Sequence, residues 1–234
     1  MSSSKKSTLI SSFTGLLCLA AAGLPSAAQT YNVVGDFSIS SNPNGAWSYG
    51  SSTGLAAAFI PSSIPSNNVV GLPLEGWLGT VDGFYPYQLL NTSAHNVTNA
   101  NTVYQPGQLG LHPGPQGQYS VVRWTAPLSG TFSINATFSG LSLLGDSTDV
   151  HIFLDGVSIF NSTVNGTPAP TSYSGLQSIV AGDRIDFVVG NGGNGYTEDT
   201  TALTATIVPE QTTLGLVGMS LGCLFSLRFF KRKQ

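Results

Sequence analysis

The stretch His151-Ile152-Phe153-Leu154-Asp155-Gly156-Val157-Ser158-Ile159-Phe160 places two short apolar runs on either side of Asp155-Gly156. An Asp-Gly pair readily takes the positive φ angles of a type I′ turn, the turn that joins two antiparallel strands through two residues. The stretch therefore predicts a β-hairpin, with strands at Asp149–Leu154 and Val157–Thr163.

Outward from this hairpin the same pattern continues in both directions. Residues Thr131 to Phe138 alternate between apolar and polar, and Ala181-Gly182-Asp183 is a turn that leads into the apolar run Arg184–Val189. Period-two alternation between turn residues is typical of half-buried strands. Further strands are predicted at Tyr31–Ser40, Gly54–Phe59, Trp77–Thr80, Ser120–Thr125, Gly130–Ser139, Gly175–Val180, Arg184–Gly190 and Thr201–Ile207.

Between Gln29 and Pro209 no segment has sustained helical periodicity with capping residues. Regular short strands with Gly-rich turns favour a two-sheet antiparallel sandwich, so the predicted fold class is all-β, as a jelly roll. Pro61–Pro73 and Leu90–Pro115 are rich in turn residues and are predicted to be irregular. No repeat and no second domain boundary is found in this body.

The charges are few and unevenly placed. Only 8% of the residues are charged, and six of the eight cations lie at the two ends of the chain. Between Asp36 and Asp199 two arginines stand against ten acidic residues, a formal charge of −8. Such a surface cannot neutralise a phosphate backbone, which argues against nucleic acid as a partner. Cys18 and Cys223 lie in the apolar end segments, so the body has no disulfide, cysteine-bound zinc or thiol nucleophile.

The N-terminal segment has the pattern of a signal peptide. Lys5-Lys6 precede the apolar stretch Leu9–Leu24, and Ser26-Ala27-Ala28 places small residues before a cleavage site at Gln29. Residues 1–28 are therefore predicted to be a signal helix that is removed on export. A retained membrane helix is the alternative, although the apolar core is short for one.

The C-terminal segment, residues 208–234, combines three features. Val208-Pro209-Glu210 precedes the apolar stretch Thr212–Leu227, and a basic cluster follows. The apolar stretch is close to the length that spans a bilayer, and the basic end is expected to stay in the cytoplasm with the body outside. A C-terminal transmembrane helix is predicted, stopped by Arg228, Lys231, Arg232 and Lys233.

This tail resembles the PEP-CTERM sorting signal of Gram-negative bacteria, in which a Pro-Glu-Pro motif precedes a membrane helix and a basic cluster. The resemblance implies processing by an exosortase-type enzyme and delivery to the cell surface or extracellular matrix. This chain has Gln211 where the family usually has its second proline. An ordinary C-terminal anchor without processing is the alternative.

Several strings in the predicted body, residues 29–207, resemble strings in bacterial surface proteins with this tail. They are Asn42-Pro43-Asn44-Gly45-Ala46-Trp47-Ser48-Tyr49-Gly50, Leu111-His112-Pro113-Gly114, Val121-Val122-Arg123-Trp124-Thr125-Ala126-Pro127, Gly182-Asp183-Arg184-Ile185-Asp186-Phe187-Val188-Val189-Gly190 and Gly193-Asn194-Gly195-Tyr196. What the resemblance implies is a sandwich similar to galactose-binding-like modules. It brings no catalytic residues.

Aromatic residues near turns are the best candidates for a ligand site. A sugar stacks its C–H face on an aromatic ring while neighbouring polar groups bind its hydroxyls. Trp47 and Tyr49 follow a Gly/Asn/Pro turn, and Trp77, Tyr85, Tyr87 and Tyr196 lie in or beside predicted loops. We expect exposed rings for polysaccharide binding at Trp47, Tyr49, Trp77 and Tyr196, whereas Trp124 is expected in the core.

Catalytic and metal motifs are weak. No Gly-x-Ser-x-Gly elbow is present, and no local motif pairs Glu75 or Glu198 with a second carboxylate. His112 precedes a Pro-Gly turn, where we expect a packing role and not a catalytic one. No cofactor is predicted, although a structural calcium ion has weak candidates at Asp146, Asp149, Glu198 and Asp199, none within a twelve-residue calcium loop.

The sequence thus predicts an exported, surface-sorted protein that is not an enzyme, either binding polysaccharide or contributing to the extracellular matrix. Two alternatives stay open at this point: a secreted polysaccharide hydrolase, and a purely structural adhesion or coat protein without a small ligand.

Overall fold

A computed structural model describes residues 29–145 and 147–210, which form strands and turns. The alternating and apolar runs of the sequence become strands because each must bury one face or both. The strands are β1 (Tyr31–Asn32), β2 (Trp47–Ser52), β3 (Ile60–Pro61), β4 (Ile64–Ser66), β5 (Leu74–Val81), β6 (Tyr85–Asn91), β7 (Val97–Asn99), β8 (Thr102–Tyr104), β9 (Leu109–His112), β10 (Tyr119–Thr125), β11 (Gly130–Gly140), β12 (Ser147–Leu154), β13 (Val157–Asn165), β14 (Thr171–Ile179), β15 (Arg184–Val189) and β16 (Thr201–Pro209).

The last eight strands form a single long antiparallel hairpin that is rolled up. β12 pairs with β13, β11 with β14, β10 with β15 and β9 with β16. The tip of the hairpin is Asp155-Gly156, where both residues have positive φ angles (47° and 80°). Successive pairs fall alternately into two sheets, which is the topology of a jelly roll.

Two antiparallel sheets stack to form the sandwich. Sheet A has the order β14-β11-β16-β9-β6-β5-β4, with β1 also on β16, and sheet B has the order β13-β12-β15-β10-β2-β3. β7 and β8 form a separate hairpin. The predicted fold class, a two-sheet antiparallel sandwich, is confirmed for the described residues.

The main core lies between the sheets and is rich in aromatic rings. Trp124 packs edge-on against Tyr31 and Phe132, with ring centroids 5.3 Å apart in each pair, and Trp47 lies 6.2 Å from Phe187. Each fully buried side chain of this size contributes about 1.5–3 kcal/mol through burial. Trp124 is fully buried, as the sequence predicts.

A second apolar cluster covers part of the outer face of sheet A. Tyr87 and Leu89 of β6 pack there with Val97 and Tyr104 of the β7–β8 hairpin. Gln88, between them in sequence, points inward, where its Nε2 donates to the Gly50 carbonyl (2.8 Å) and to Ser120 Oγ (2.6 Å). The alternation of β6 therefore places the rings of Tyr85 and Tyr87 on the outer face of sheet A.

Several strand predictions are wrong. Of Tyr31–Ser40 only Tyr31–Asn32 is a strand, and Gly54–Phe59 is not a strand. The predicted irregular segments, Pro61–Pro73 and Leu90–Pro115, contain β4, β7, β8 and β9. β9 and most of β6 are buried on both faces, so they lack the alternation that reveals a half-buried strand.

Residues Trp47–Ser52 also form a strand, β2, where the sequence suggested only a turn. The turn lies just before it, at Asn42-Pro43-Asn44-Gly45. Asn42 Nδ2 donates to the carbonyls of Tyr49 (2.6 Å) and Ser62 (2.9 Å), and Asn42 Oδ1 accepts from Tyr49 N (2.9 Å). One amide thus fixes the entry of the chain into sheet B.

The sandwich reaches its last strand close to the end of the described residues. β16 continues through Val208 and Pro209, two residues beyond the predicted end of the body, and Glu210 N donates to the Thr131 carbonyl (2.8 Å). No helix within residues 29–145 and 147–210 is long and apolar enough to cross a bilayer. The predicted signal helix, the C-terminal helix and the cluster Arg228, Lys231, Arg232 and Lys233 lie outside the described residues.

Candidate functional site

A groove of about 300 Å³ opens on the outer face of sheet A, beside the β7–β8 hairpin. Ligand pockets typically start at about this size. The strands β6 and β9 and the segment before β16 bring its residues together from distant parts of the chain. We call it the tyrosine groove and define it by Phe84, Tyr85, Tyr87, His112, Tyr196 and Glu198.

The aromatic rings of the groove pack edge to face. Tyr85 lies 5.3 Å from Tyr196 and 5.0 Å from Phe84 between ring centroids, with interplanar angles of 81° and 78°. Tyr85, Tyr196 and Phe84 are half-buried, whereas Tyr87 is buried. Edge-to-face packing holds each ring in a fixed orientation. The groove thus has rigid apolar walls that remain open to solvent.

Glu198 is the carboxylate of the groove. Its Oε1 accepts from Asn101 Nδ2 (2.9 Å) and its Oε2 accepts from Ser142 Oγ (2.7 Å). The backbone of Glu198 has a φ of 67°, a left-handed conformation that is unfavourable for a residue with a Cβ. Two donors and an unusual backbone therefore fix the position of this carboxylate.

His112 ends β9 and forms part of the floor. Its Nδ1 lies 2.7 Å from the Pro113 carbonyl. Because a carbonyl can only accept, Nδ1 carries the proton and Nε2 is an acceptor. Burial lowers the pKa of His112 to about 4, against the smaller opposing effect of the Pro113 hydrogen bond. His112 is therefore neutral at pH 7.

Two phenols of the groove, those of Tyr85 and Tyr87, are also neutral. Burial raises the pKa of Tyr85, and it raises the pKa of Tyr87 to about 12, with the hydrogen bond to Thr200 acting in the opposite direction. The hydroxyl of Tyr87 lies 3.3 Å from Thr200 Oγ1. A neutral phenol both donates and accepts hydrogen bonds. The groove therefore presents hydroxyls, one carboxylate and one neutral imidazole around aromatic rings.

Three of the four aromatic residues expected at a ligand site are buried instead. Trp47, Tyr49 and Trp77 are 1%, 0% and 4% exposed, so the expectation of exposed rings is wrong for them. Trp47 Nε1 donates to Asp36 Oδ2 (3.1 Å), and Trp77 Nε1 donates to the Ser38 carbonyl (2.9 Å). Both tryptophans close the sandwich, because the strands that carry them alternate inward.

Tyr196, the fourth expected residue, lies in the tyrosine groove. It is joined there by Glu198, which the sequence suggested only as a weak calcium candidate. Tyr85 was noted among the loop aromatics, while Asn101 and Ser142 were not identified at all. No local pattern links these residues, since the sandwich brings them together across long stretches of chain.

The remaining calcium candidates do not form one cluster. Asp149 accepts from His151 Nε2 (2.8 Å) and from Gly192 N (2.8 Å), and Asp199 is 2% exposed. Asp146 lies outside the described residues. In the described part of the chain, no group of three or more His, Cys, Asp or Glu side chains could hold a metal ion.

No protein-family model matches this sequence, and no curated protein matches it. Among solved structures, a CBM51 from Clostridium perfringens GH95 in complex with methyl-galactose is 15% identical (TM-score 0.36), over 77% of this chain and 99% of that one. A family 35 carbohydrate binding module from Clostridium thermocellum is 10% identical (TM-score 0.31), over 47% and 83%. Rabbit GITRL is 17% identical (TM-score 0.28), over 39% and 72%. All three TM-scores are below 0.5, so the functional proposal rests on the groove itself.

Proposed function

We propose that this protein is an exported glycan-binding protein without enzymatic activity, and that the tyrosine groove holds the sugar. One observation carries the proposal. The half-buried rings of Tyr85 and Tyr196 stand at the mouth of a groove beside Glu198, whose carboxylate is fixed by two donors. A sugar needs this combination, an apolar ring face next to a rigid hydrogen-bonding group.

The other polar groups extend the same chemistry. His112 Nε2, an acceptor, has no hydrogen-bond partner among the described residues, and Thr197 and Thr200 also line the groove. Sugar hydroxyls donate and accept equally well, so they can satisfy an acceptor nitrogen, a carboxylate and a hydroxyl together. A small apolar ligand would leave these groups without partners, which is unfavourable in a partly buried site.

The groove supports binding better than hydrolysis. Glycosidases place two carboxyl groups on either side of the scissile bond. Among the described residues that line the tyrosine groove, Glu198 is the single carboxylate. Hydrolysis remains the testable alternative: release of reducing sugar from a bound polysaccharide would contradict the proposal.

We also propose that the C-terminal tail sorts the protein to the cell surface through an exosortase-type enzyme. The support is the resemblance of residues 208–234 to the PEP-CTERM signal. Val208 and Pro209 end β16, and Glu210, the residue that follows, is exposed, so the last residue of the motif lies where the sheet ends. Deletion of residues 211–234 is expected to release the protein into the periplasm or medium. An unchanged membrane and surface fraction would contradict this part.

The binding proposal is tested on a glycan array with the wild type and with Tyr196→Ala and Tyr85→Ala. Loss of a stacking ring is expected to weaken binding by about two- to tenfold, given about 0.5–1.5 kcal/mol for an aromatic contact beyond its buried area. Tyr173→Ala is the matched control, a half-buried tyrosine on β14 away from the groove. If the groove variants bind like the wild type, or if the array shows no binding at all, the proposal is wrong.

A further inference from the structure

A second groove, of about 390 Å³, lies on the outer face of sheet B. Its floor is apolar and is formed by Val121, Phe153 and Val188, which are 2%, 8% and 4% exposed. Charged side chains and a phenylalanine stand around this floor. We call it the arginine groove and define it by Phe59, Val121, Arg123, Phe153, Asp155, Arg184, Asp186 and Val188.

This groove holds both cations of the described residues. The chain has eight lysines and arginines, and only Arg123 and Arg184 fall within residues 29–210. Both line the arginine groove, each beside an aspartate. The defining residues therefore carry two positive and two negative formal charges, on a surface that is otherwise acidic.

Arg123 is fixed in place by three contacts with two neighbours, Asp186 and Phe59. Its Nε donates to Asp186 Oδ1 (2.6 Å) and its Nη2 donates to Asp186 Oδ2 (2.8 Å). The guanidinium also lies over the Phe59 ring, 4.4 Å from the centroid. A guanidinium has five N–H donors, and Asp186 uses two of them. Nη1 has no partner among the described residues and remains available to a ligand.

Phe59 reaches this position because Gly50 has no side chain. A Cβ on Gly50 would lie 2.8 Å and 2.9 Å from atoms of the Phe59 ring. The ring thus packs directly on β2 and forms one wall of the arginine groove. The glycine is what makes room for the ring beside Arg123.

Arg184 and Asp155 form the outer rim. Asp155 Oδ1 accepts from Arg184 N (3.1 Å) and from Arg184 Nε (3.3 Å). The two terminal nitrogens of Arg184 have no partner in the described part of the chain, and neither does Asp155 Oδ2. Donors and acceptors therefore stand side by side over an apolar floor.

We infer that the arginine groove is a second glycan site and that it takes a neutral sugar. Paired guanidinium and carboxylate groups match adjacent hydroxyls, which accept from one and donate to the other. The apolar floor and the Phe59 ring take the C–H face. The balanced charge gives an anionic sugar no advantage over a neutral one, since each guanidinium already faces a carboxylate.

The two grooves lie on opposite faces of the sandwich. Gln88 points inward, so its neighbour Tyr87, and Tyr85 two residues before that, face out from sheet A. Trp124 and Phe187 point into the core, so their neighbours Arg123 and Asp186 face out from sheet B. A glycan segment in one groove cannot enter the other without passing around the molecule. This inference rests on the proposed function, and it makes the protein a bridge between two glycan chains.

The test uses the purified protein and a panel of soluble polysaccharides: galactan, mannan, β-glucan and arabinoxylan as neutral probes and alginate as the uronate-bearing probe. Light scattering measures whether the protein cross-links the neutral polysaccharide that it binds most strongly. Calorimetry with an oligosaccharide cut from that polysaccharide measures the number of binding sites per protein. The wild type is expected to cross-link the polymer and to bind at two sites. Arg184→Ala and, separately, Phe59→Ala are expected to leave one site and abolish cross-linking, while the exposed control Leu176→Ala changes neither.

The outcomes separate this inference from the proposed function. If Tyr196→Ala removes all binding and Arg184→Ala and Phe59→Ala remove none, the second site is wrong while the tyrosine groove stands. If the Arg184 and Phe59 variants lose binding to alginate alone and keep binding to the neutral polysaccharides, the assignment of a neutral sugar is wrong. If no polysaccharide binds to the wild type, both proposals fail. Arg184 is exposed, so its variant is expected to fold, and circular dichroism checks this.

Discussion

Glu198 is the residue on which the tyrosine groove depends most. Its carboxylate accepts from Asn101 and Ser142 while its backbone holds a left-handed φ. In Glu198→Gln the charged acceptor is lost, because the neutral amide oxygen accepts more weakly from Asn101 and the NH₂ group no longer accepts from the Ser142 hydroxyl. We expect about 1–3 kcal/mol lower unfolding free energy, as for a lost hydrogen bond to a charged group.

Urea denaturation measures this loss, and the array measures the accompanying loss of binding. Asp82→Asn is the matched control. Asp82 is an exposed carboxylate in a turn, and its backbone is left-handed, a conformation that asparagine tolerates. Equal stability and equal binding of Glu198→Gln and the wild type would show that the carboxylate has no role in the groove.

His112 gives the fold a specific pH dependence. Burial lowers its pKa to about 4 in the folded state, whereas an unfolded histidine titrates near 6.5. The unfolded state therefore binds the proton first, and stability present above pH 6.5 is lost as the pH falls towards 4. This group alone lowers the unfolding free energy by about 3 kcal/mol over that window.

Urea denaturation at pH 7, 6, 5 and 4 checks the dependence. His112→Gln is expected to lose less stability over this range than the wild type does. The exposed His95→Gln is the matched control. Identical slopes for His112→Gln and the wild type would contradict the buried, neutral state of His112.

Gly50 provides a steric test of the arginine groove. A Cβ at this position would lie 2.2 Å from the Ile60 carbonyl oxygen as well as against the Phe59 ring. We expect Gly50→Ala to lower the unfolding free energy by about 1–3 kcal/mol, the usual effect of overpacking. Gly54→Ala is the control, since its nearest atom is 3.9 Å away. Equal urea midpoints for the two variants would be evidence against this packing.

At the scale of single elements, the hairpin tip is the feature that the sequence predicted most directly. Gly156 has a φ of 80°, which a residue with a Cβ adopts at a cost of about 1–2 kcal/mol. Gly156→Ala is therefore expected to lower the unfolding free energy by about that amount. Gly54→Ala again serves as the control, and an unchanged denaturation midpoint would contradict the positive φ at the tip.

The alternation rule explains which strands could be predicted. β11 shows one buried and one more exposed face over most of its length, and β12 shows them in its first half; the sequence pattern predicts both strands. β9 is buried on both sides, under the main core and the second cluster, and it was missed. Such a strand shows no period of two, so its sequence cannot be told from an apolar loop.

The candidate site was less predictable than the fold. Trp47 and Trp77 are large and stand near Gly and Asn residues, which suggested loops, yet each lies on an inward-facing strand position. Tyr196 was correctly placed in a loop, and its ring stands beside Tyr85. Inward or outward orientation depends on strand register, and the register is set by pairing across the sheets.

The described body is a sandwich with a groove on each outer face, and the tail of the chain is proposed to sort the protein to the cell surface. The cations outside the body belong to the two end segments, and the two within it meet in the arginine groove. We propose that the end segments serve export and anchoring and that the two outer faces of the sandwich bind glycans.

Sugar binding in the tyrosine groove is observed at the rings themselves by an NMR titration. Tyrosine-labelled protein is titrated with the strongest oligosaccharide from the array. We predict that the ring signals of Tyr85 and Tyr196 shift with saturation while those of Tyr173 stay unchanged. Saturable binding that leaves the ring signals of both Tyr85 and Tyr196 unshifted would show that the sugar does not bind in the tyrosine groove.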